Sequence, residues 1–375
     1  MVYNRIRYIS KPCSVFLQGF VVVSHGDFRT PKTSDNLGKK GFNTMLISWN
    51  STQACNLKCK HCYRDAGDKA TKELSTAEAK TLIDQIVKAG FRIMIFSGGE
   101  PLMRPDMIEL VGYASSKGLR PVLGTNGTLL TPETVKALKE VGALRVGISL
   151  DSLDEARHNE FRGHPDAFAM TMAGIENCRA GGLDFQIHTT VTQMNKNEVL
   201  NMTDWCEANG AKGHHVFFLV PTGRGKEIEE TTLHTDEYEG LLTALMEKQK
   251  HTSVEIKPTC APQFMRIAQD QGLHLRYSRG CLAGISYCII SPIGDVQACP
   301  YLPVVSGNVR ETPFDELWRN DEIFRQFRKE KPKGSCGVCK HYDICGGCRA
   351  RAYYYTGGDY LAEEPWCKYS THKIK

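Results

Sequence analysis

The feature that most constrains the fold is an alternation of short apolar runs with helical segments, which begins at Met45. Each helical segment ends at or near a glycine and the next apolar run follows within a few residues, as expected for left-handed helix caps. Parallel strands require helical crossovers, so the pattern predicts an α/β fold: a partial or full barrel, or a doubly wound sheet. A capping box at Ser75-x-x-Glu78 and the pair Thr131-Pro132 mark two helix starts. The predicted strands are residues 45–49, 93–96, 121–124, 146–150, 185–191 and 216–220.

Three cysteines follow the first predicted strand at the spacing C-x3-C-x2-C, as Cys55, Cys59 and Cys62. Thiolates this close in sequence can bind different irons of one iron–sulfur cluster, and three of them leave one iron of a cubane open for another ligand. The spacing alone also fits a zinc loop or a disulfide knot. Because loops at the carboxyl ends of parallel strands carry the chemistry of such folds, this Cys loop (residues 55–62) is a candidate active site.

Composition narrows the class of protein. The chain has 375 residues, 15 cysteines and a formal net charge of +5, which is too small to indicate a nucleic-acid partner. No run approaches the roughly 20 apolar residues of a membrane span, and the apolar segment 13–23 lacks an export cleavage site. We therefore expect a cytoplasmic protein with reduced thiols that are available to metals. Residues 1–43 show no clean periodicity and are predicted to be an N-terminal extension.

A second motif, Gly98-Gly99-Glu100, ends the second predicted strand. Together with the Cys loop it resembles the radical S-adenosylmethionine (SAM) family. The resemblance implies a core domain over residues 44–257, folded as a partial (β/α)6 TIM-like barrel. It also implies a 4Fe–4S cluster on the Cys loop, SAM on the open iron, and a 5′-deoxyadenosyl radical that abstracts a substrate hydrogen. Predicted SAM contacts are His61 for the adenine, Gly98, Gly99 and Glu100 for the methionyl amine, Thr125, Asn126, Ser149 and Asp151 for the ribose, and Arg162 for the carboxylate.

Eight cysteines lie between residues 281 and 367 and resemble the SPASM extension of radical SAM enzymes, predicted here over residues 258–375. That extension carries up to two auxiliary iron–sulfur clusters, and a structural zinc ribbon is the alternative. The family usually has three residues between the last two cysteines of its middle group, whereas two separate Cys345 from Cys348. Cys178 and Cys206, on predicted helices, are expected to be buried, inert thiols. By the resemblance, Cys281, Cys299 and Cys348 bind one auxiliary cluster, and Cys336, Cys339, Cys345 and Cys367 bind the other. The first cluster then has either an open iron or a fourth ligand, for which Cys260 and Cys288 are the candidates.

Several stretches resemble the branch of this family that acts on tetrapyrroles. That branch includes the heme d1 protein NirJ and the alternative heme synthase that works from Fe-coproporphyrin. The stretches include Trp-Asn-x-Thr before the first cysteine and Cys-Gly-Gly-Cys-Arg-Ala-Arg-Ala near the C-terminus. The resemblance implies removal or oxidative decarboxylation of porphyrin side chains, with an electron donor such as ferredoxin or flavodoxin. Porphyrin carboxylates need basic partners, and an iron porphyrin can take an imidazole ligand. Candidate substrate residues are His188, His214, His215, Arg224, Lys226, Lys257, Arg266, Arg276 and Arg279.

Two other functions stay open at this point. Many SPASM proteins modify a peptide or protein, and such an enzyme would need a leader-binding domain or a small partner, for which residues 1–43 are short. A non-catalytic iron–sulfur electron carrier is the other alternative. It would have no reason to leave one iron open beside a Gly-Gly-Glu turn.

Overall fold

The structure is a computed structural model that describes residues 45–371. The predicted extension at 1–43, with Cys13, lies outside these residues. The described part contains one ten-stranded sheet. Its strands are β1 Leu46–Asn50, β2 Ile93–Ser97, β3 Arg120–Thr125, β4 Arg145–Ser149, β5 Phe185–Val191, β6 Gly213–Phe218, β7 Glu255–Thr259, β8 Tyr287–Ile290, β9 Asp295–Gln297 and β10 Val305–Asn308.

The strands follow the order β10-β9-β8-β1-β2-β3-β4-β5-β6-β7. Strands β1 to β7 pair in parallel, and β8 joins the other side of β1, also in parallel. Strands β9 and β10 then add in antiparallel orientation. Since β7 and β10 are the two ends of this order, the sheet does not close. The predicted parallel α/β core is confirmed, as an open barrel that the C-terminal part of the chain extends.

Helices connect the parallel strands as the glycine pattern predicts. Ser75 caps the first of them in a complete capping box, in which the Glu78 carboxylate accepts from the Ser75 amide at 2.8 Å. Within residues 45–371 no helix is both long enough and apolar enough to span a membrane. The helices are α1 Thr76–Lys88, α2 Met107–Ser116, α3 Pro132–Glu140, α4 Glu155–Arg162, α5 Ala167–Gly181, α6 Val199–Ala208, α7 Thr235–Gln249, α8 Phe264–Asp270, α9 Phe314–Asn320, α10 Glu322–Lys329, α11 Gly334–Gly337, α12 Tyr342–Cys345 and α13 Arg349–Tyr355.

Three elements differ from the sequence prediction. Strand β6 spans 213–218 rather than 216–220, because it begins with a glycine and two polar histidines, which an apolar pattern does not mark as strand. Strand β7 is a seventh parallel strand and crosses the boundary predicted between residues 257 and 258. Helix α4, which the sequence did not predict, is polar along most of its length and so carries no apolar periodicity.

The two faces of the sheet differ in burial. The outer face packs against the helices and supplies core residues such as Ile47, Phe96 and Ile148, all 0% exposed. Successive side chains point to opposite faces of a strand, so the residues between them form an inner face. That inner face is partly open and increasingly polar toward β7. Its half-buried residues include Ile95, Ser97, Val122, Ser149, His188, Thr190, His215, Phe217, Lys257 and Thr259.

Candidate active site

The Cys loop follows β1 and lies at the carboxyl ends of the parallel strands. The Cys55 amide donates to the Gly67 carbonyl at 2.8 Å, which closes the loop on itself. The three cysteines pack in one small cluster with Leu57 and Ala167. Burial, together with charges on Glu100, Cys59 and Cys62, raises the pKa of Cys55 to about 11. Among residues 45–371 no three His, Cys, Asp or Glu side chains converge tightly enough to hold a single metal ion. Thiolates of a cubane are spaced more widely, because each binds a different iron.

The glycines of Gly98-Gly99-Glu100 bring β2 against the start of the Cys loop. The Gly99 amide donates to the Thr52 carbonyl at 2.7 Å, and the Glu100 amide donates to the Ala54 carbonyl at 2.8 Å. A Cβ atom on Gly99 would lie 2.2 Å from the Ala54 carbonyl oxygen, so no larger residue fits here. The close approach that these glycines permit in this structure is therefore to the backbone between β1 and the Cys loop.

Glu100 joins the ends of β2 and β3. Its carboxylate accepts from the Thr125 hydroxyl at 2.8 Å, from the Asn126 amide at 2.8 Å and from the Leu102 amide at 3.1 Å. Burial raises the pKa of Glu100 to about 7, and these hydrogen bonds oppose the shift. The predicted SAM residues Glu100, Thr125 and Asn126 thus form one hydrogen-bonded group beside Cys55.

Asn56 is a functional candidate that sequence reasoning missed. Its side-chain oxygen accepts from the Asn126 side-chain amide at 2.8 Å, and its own amide donates to the Thr128 hydroxyl at 2.8 Å. These two bonds hold the Cys loop to the turn after β3. The sequence feature that could have indicated this residue is its amide side chain, directly after the first cysteine of the loop.

A buried ion pair lies on the other side of the Cys loop. Arg162, the last residue of α4, donates through Nε to Asp151 at 2.7 Å, and its NH1 lies 3.7 Å from Cys59 Sγ. Asp151 also accepts from the Thr190 amide at 2.8 Å. Burial alone would lower the pKa of Arg162, but Asp151 and Cys59 raise it, so this guanidinium stays charged beside the thiol. Asp151 and Arg162, two of the predicted SAM contacts, are thus bound to each other. Ser149, a third predicted contact, is the last residue of β4 and lies on the inner face.

His61 and Arg224 complete the surroundings of the Cys loop. The His61 ring stacks on Phe161 with centroids 4.2 Å apart, and its buried Nδ1 has no hydrogen-bond partner. Burial keeps the pKa of His61 well below its usual range, so the ring is neutral. Arg224 donates to the carbonyls of Cys59 and Ala66, both at 2.9 Å. Its guanidinium therefore holds the loop, a position that differs from the predicted substrate contact.

The predicted ligands of the first auxiliary cluster come together around Cys260. Burial raises the pKa of Cys260, and charges on Cys348, Cys299 and Cys281 raise it further, so these four thiols are neighbours. Cys288, the other candidate for the fourth position, is 0% exposed on β8, and the charged group that acts on it is Arg328. Cys288 is in register with Ile47 on the outer face of the sheet, which packs against the helices, so the structure brings Cys260 closer to the set. Cys260 also has a left-handed backbone with φ of 58°, which is uncommon outside glycine.

Three predicted ligands of the second auxiliary cluster, Cys336, Cys345 and Cys367, are neighbours, and Cys339 follows Cys336 by one short turn. Burial raises the pKa of Cys345, and charges on Cys367 and Cys336 add to that shift. The Cys339 amide lies 3.4 Å from the Cys336 carbonyl, one short turn away. The Cys345 carbonyl accepts from the Cys281 amide at 3.0 Å, so the two auxiliary sets share a backbone contact. Cys178 and Cys206, as expected, are buried elsewhere in the core.

A second buried ion pair, Arg351 with Glu364, separates the two auxiliary sets. Both side chains are 0% exposed and lie 3.2 Å apart. Arg351 donates to the Cys260 carbonyl at 2.7 Å, on the side of the first set. The Glu364 amide lies 3.4 Å from Cys336 Sγ, on the side of the second. The pair therefore contacts both cysteine sets at once.

The predicted substrate residues divide into two groups. His188, His215 and Lys257 lie on the inner face. His214 points the opposite way, between the hydroxyls of Thr203 and Thr189 at 2.8 and 3.0 Å. Among the other predicted cations, Lys226 is exposed. Arg266 pairs with Glu239, Arg279 donates to the Cys281 and Asp343 carbonyls, and Arg276 pairs with Glu255.

Comparisons with known proteins agree with this architecture. Residues 49–206 match the radical SAM superfamily, and residues 281–348 match SPASM, described as an iron–sulfur cluster-binding domain. The AdoMet-dependent heme synthase of Methanosarcina barkeri is 46% identical over 343 residues, which cover 88% of this chain and 97% of that protein. The mycofactocin maturase MftC of Mycobacterium ulcerans is 33% identical, with coverage of 86% and 87%.

Among solved structures, Streptococcus suis SuiB bound to precursor peptide SuiA superposes with a TM-score of 0.70. The match covers 86% of this chain and 76% of that one at 17% identity, so it supports the fold alone.

The residues present fit the groups that these matches imply. The Cys loop offers three neighbouring thiols beside a buried guanidinium, and each auxiliary set offers four cysteines. The protein therefore uses a 4Fe–4S cluster with SAM, together with auxiliary iron–sulfur clusters. This chain belongs to the radical SAM superfamily, as an enzyme that combines the radical SAM domain with a SPASM iron–sulfur domain.

Proposed function

We propose that this enzyme acts in heme biosynthesis and converts propionate side chains of an iron porphyrin, Fe-coproporphyrin, into vinyl groups. The observation that carries the proposal is the inner face of the barrel, where His188, His215 and Lys257 lie half-buried. Neutral imidazoles and a lysine suit an anionic, carboxylate-bearing substrate. The 46% identity to an AdoMet-dependent heme synthase, over almost the full length of both proteins, supports the same substrate class.

The proposed reaction removes one hydrogen atom, one electron and carbon dioxide from each propionate, and leaves a carbon–carbon double bond. The electron would pass to an auxiliary iron–sulfur cluster of the SPASM domain. When bound, the cluster and SAM supply the 5′-deoxyadenosyl radical that takes the hydrogen atom. In this proposal Cys55, Cys59 and Cys62 hold that cluster. Glu100 and Arg162 orient SAM from opposite sides of the loop, with a carboxylate and a guanidinium for the amine and carboxylate of its methionyl end.

Further SAM contacts belong to the same proposal. They are His61 at the adenine, the Gly98-Gly99 backbone at the methionyl amine, and Thr125, Asn126, Ser149 and Asp151 at the ribose. A small electron donor such as ferredoxin or flavodoxin would reduce the cluster. We place the reaction in the cytoplasm, where reductants keep cysteines as thiols.

The test incubates the cluster-loaded protein anaerobically with SAM, dithionite and Fe-coproporphyrin III. We expect release of 5′-deoxyadenosine, and a porphyrin product that has lost carbon dioxide and two hydrogens for each converted propionic acid. The Cys59→Ala variant should release no 5′-deoxyadenosine and should retain its auxiliary iron. Release of 5′-deoxyadenosine with no change in porphyrin mass would contradict the proposal.

A peptide-modifying activity is the second candidate. The 33% identity to mycofactocin maturase MftC favours it. The porphyrin assay separates the two functions, because a peptide-modifying enzyme would leave the porphyrin mass unchanged.

A further inference from the structure

Three side chains form a row across the inner face of β5, β6 and β7. His188 is in register with His215, and His215 is in register with Lys257. The two imidazole rings stack with centroids 5.1 Å apart and planes 13° from parallel. Gly147 on β4 makes room for this arrangement, since a Cβ atom there would lie 2.3 Å from the His188 ring.

Gln186 determines which ring nitrogens carry protons. Arg145 NH1 donates to Gln186 Oε1 at 3.2 Å, and a guanidinium can only donate, so the amide NH2 of Gln186 must face the imidazoles. That NH2 lies 2.8 Å from His188 Nε2 and 3.4 Å from His215 Nδ1. Both of these nitrogens therefore accept hydrogen bonds. The protons are on His188 Nδ1 and His215 Nε2.

Both imidazoles are neutral donors at neutral pH. Burial lowers the pKa of His188 to about 4 and keeps the pKa of His215 well below its usual range. Neither His188 Nδ1 nor His215 Nε2 has a hydrogen-bond partner among residues 45–371. Neither atom is fully buried. Two N–H groups thus stand free on a half-open surface.

Lys257 adds a positive charge without a carboxylate partner among the described residues. Its Nζ lies 3.7 Å from the centroid of the Tyr277 ring, and the nearby Glu255 carboxylate is bound to Arg276 at 2.8 Å. Burial lowers the pKa of Lys257 to about 8, so most of the ammonium remains charged at neutral pH. A desolvated cation of this kind favours an anion.

We propose that His188 Nδ1–H, His215 Nε2–H and the Lys257 ammonium form a subsite that binds one carboxylate of the substrate. The inference rests on the proposed function, in which that carboxylate is a porphyrin propionate. It differs from ligation of the porphyrin iron, which requires a lone pair on the free nitrogen of an imidazole. Here the free nitrogens carry the protons.

To test this, cluster-loaded protein is titrated with Fe-coproporphyrin III and, separately, with metal-free coproporphyrin III. The affinity for each porphyrin is obtained from the change in absorption. Because the subsite contacts carboxylates, we expect the protein to bind both porphyrins with similar affinity. His188→Phe, His215→Phe and Lys257→Met should each weaken both by about tenfold or more. Lys212→Met, which removes a surface lysine outside the subsite, is the matched control and should bind like the unmodified protein.

The outcomes separate the two proposals. Failure of the unmodified protein to bind either porphyrin would remove the proposed function. Binding by the unmodified protein with unchanged affinity in all three variants would overturn the subsite alone. A strong preference for the iron porphyrin that His188→Phe or His215→Phe abolishes would replace the subsite with iron ligation. Circular dichroism of each variant confirms that a loss of binding is not a loss of folding.

Gln186→Glu is a sharper test, because it reverses the proton arrangement. A carboxylate accepts from both rings, so the protons would move to the Gln186 side and leave lone pairs facing the substrate. We expect about tenfold weaker binding of the metal-free porphyrin and a new iron-dependent absorption change. Unchanged binding of the metal-free porphyrin would overturn the inference.

The pH dependence of porphyrin affinity tests whether the Lys257 ammonium contacts the carboxylate. A bound carboxylate needs the protonated ammonium, so affinity should be highest below the Lys257 pKa of about 8 and fall as pH rises above it. The groups facing Lys257 are His215, Tyr277, Glu255 and Arg276. Lys257→Arg should keep the affinity and abolish the decrease above pH 8, since arginine stays charged. An unchanged pH profile in Lys257→Arg would contradict the assignment.

Discussion

The two cysteine regions of this protein each contain a buried arginine–carboxylate pair, and the two pairs are built differently. Beside the Cys loop, Arg162 and Asp151 retain 7% and 1% exposure, and the guanidinium reaches Cys59 Sγ. Between the auxiliary sets, Arg351 and Glu364 are both 0% exposed, and the arginine lies 4.0 Å from the centroid of the Trp366 ring. The first pair borders an open face, whereas the second is sealed inside the domain.

This difference indicates different tasks. A buried pair that retains some access can exchange a partner for a ligand, which suits a site that binds and releases SAM. A sealed pair cannot exchange a partner for a ligand, so its charges stabilise the fold and interact with the cysteines around it. Removing one partner should therefore cost most at the sealed pair and less at the open one. An ion pair on the protein surface should contribute least.

The largest effect is expected for Arg351→Met, which leaves Glu364 as an unpaired buried charge. We expect a loss of about 3–5 kcal/mol in the free energy of unfolding, measured by anaerobic denaturant titration. The double variant Arg351→Met/Glu364→Leu removes both charges and should recover most of that loss. A single variant as stable as the unmodified protein would show that the sealed pair does not support the fold.

An intermediate effect is expected for Asp151→Asn, which removes the negative charge beside Arg162 and keeps the shape of the side chain. We expect a loss of about 1.5–3 kcal/mol, the range for hydrogen bonds to charged groups. Iron should be lost from the Cys-loop cluster and retained at the auxiliary sites, as resolved by electron paramagnetic resonance. Equal iron loss from both regions would break the distinction between them. Arg351→Met, with the opposite pattern, is the matched control.

The smallest effect is expected for Glu78→Gln, which breaks the exposed pair between α1 and Arg310. The hydrogen bonds from Arg310 and from the Ser75 amide together lower the pKa of Glu78 to about 2. A carboxyl whose pKa is lower in the folded state stabilises above its unfolded pKa, and that contribution disappears as pH falls toward 2. Because water screens the pair, we expect only about 0.5–1 kcal/mol at neutral pH.

The measurement for Glu78→Gln compares its unfolding free energy with that of the unmodified protein at several pH values. The difference should be constant near neutral pH and shrink below the ordinary glutamate pKa of about 4.5. A difference that grows as pH falls would have the wrong sign for this pair.

Local patterns predicted much of the fold and part of the site. The capping box at Ser75 and the glycine-terminated helices are confirmed, because caps and turns depend on a few adjacent residues. Helix α4, which ends at Arg162, was missed because its polar sequence lacks apolar periodicity. His214 and His215 look equivalent in sequence, but alternation along β6 places them on opposite faces.

By itself, the sequence determined the parallel α/β core and the loop in which three cysteines can share one cluster. Both follow from spacings of a few residues. Only the tertiary structure places Cys260 near the distant Cys281, Cys299 and Cys348, and places Cys288 in register with Ile47 on the outer face of the sheet. It also decided that Arg224 holds the Cys loop and that Lys257 lies beside His215. Such contacts depend on strand order and register, which join residues far apart in the chain and leave no local pattern.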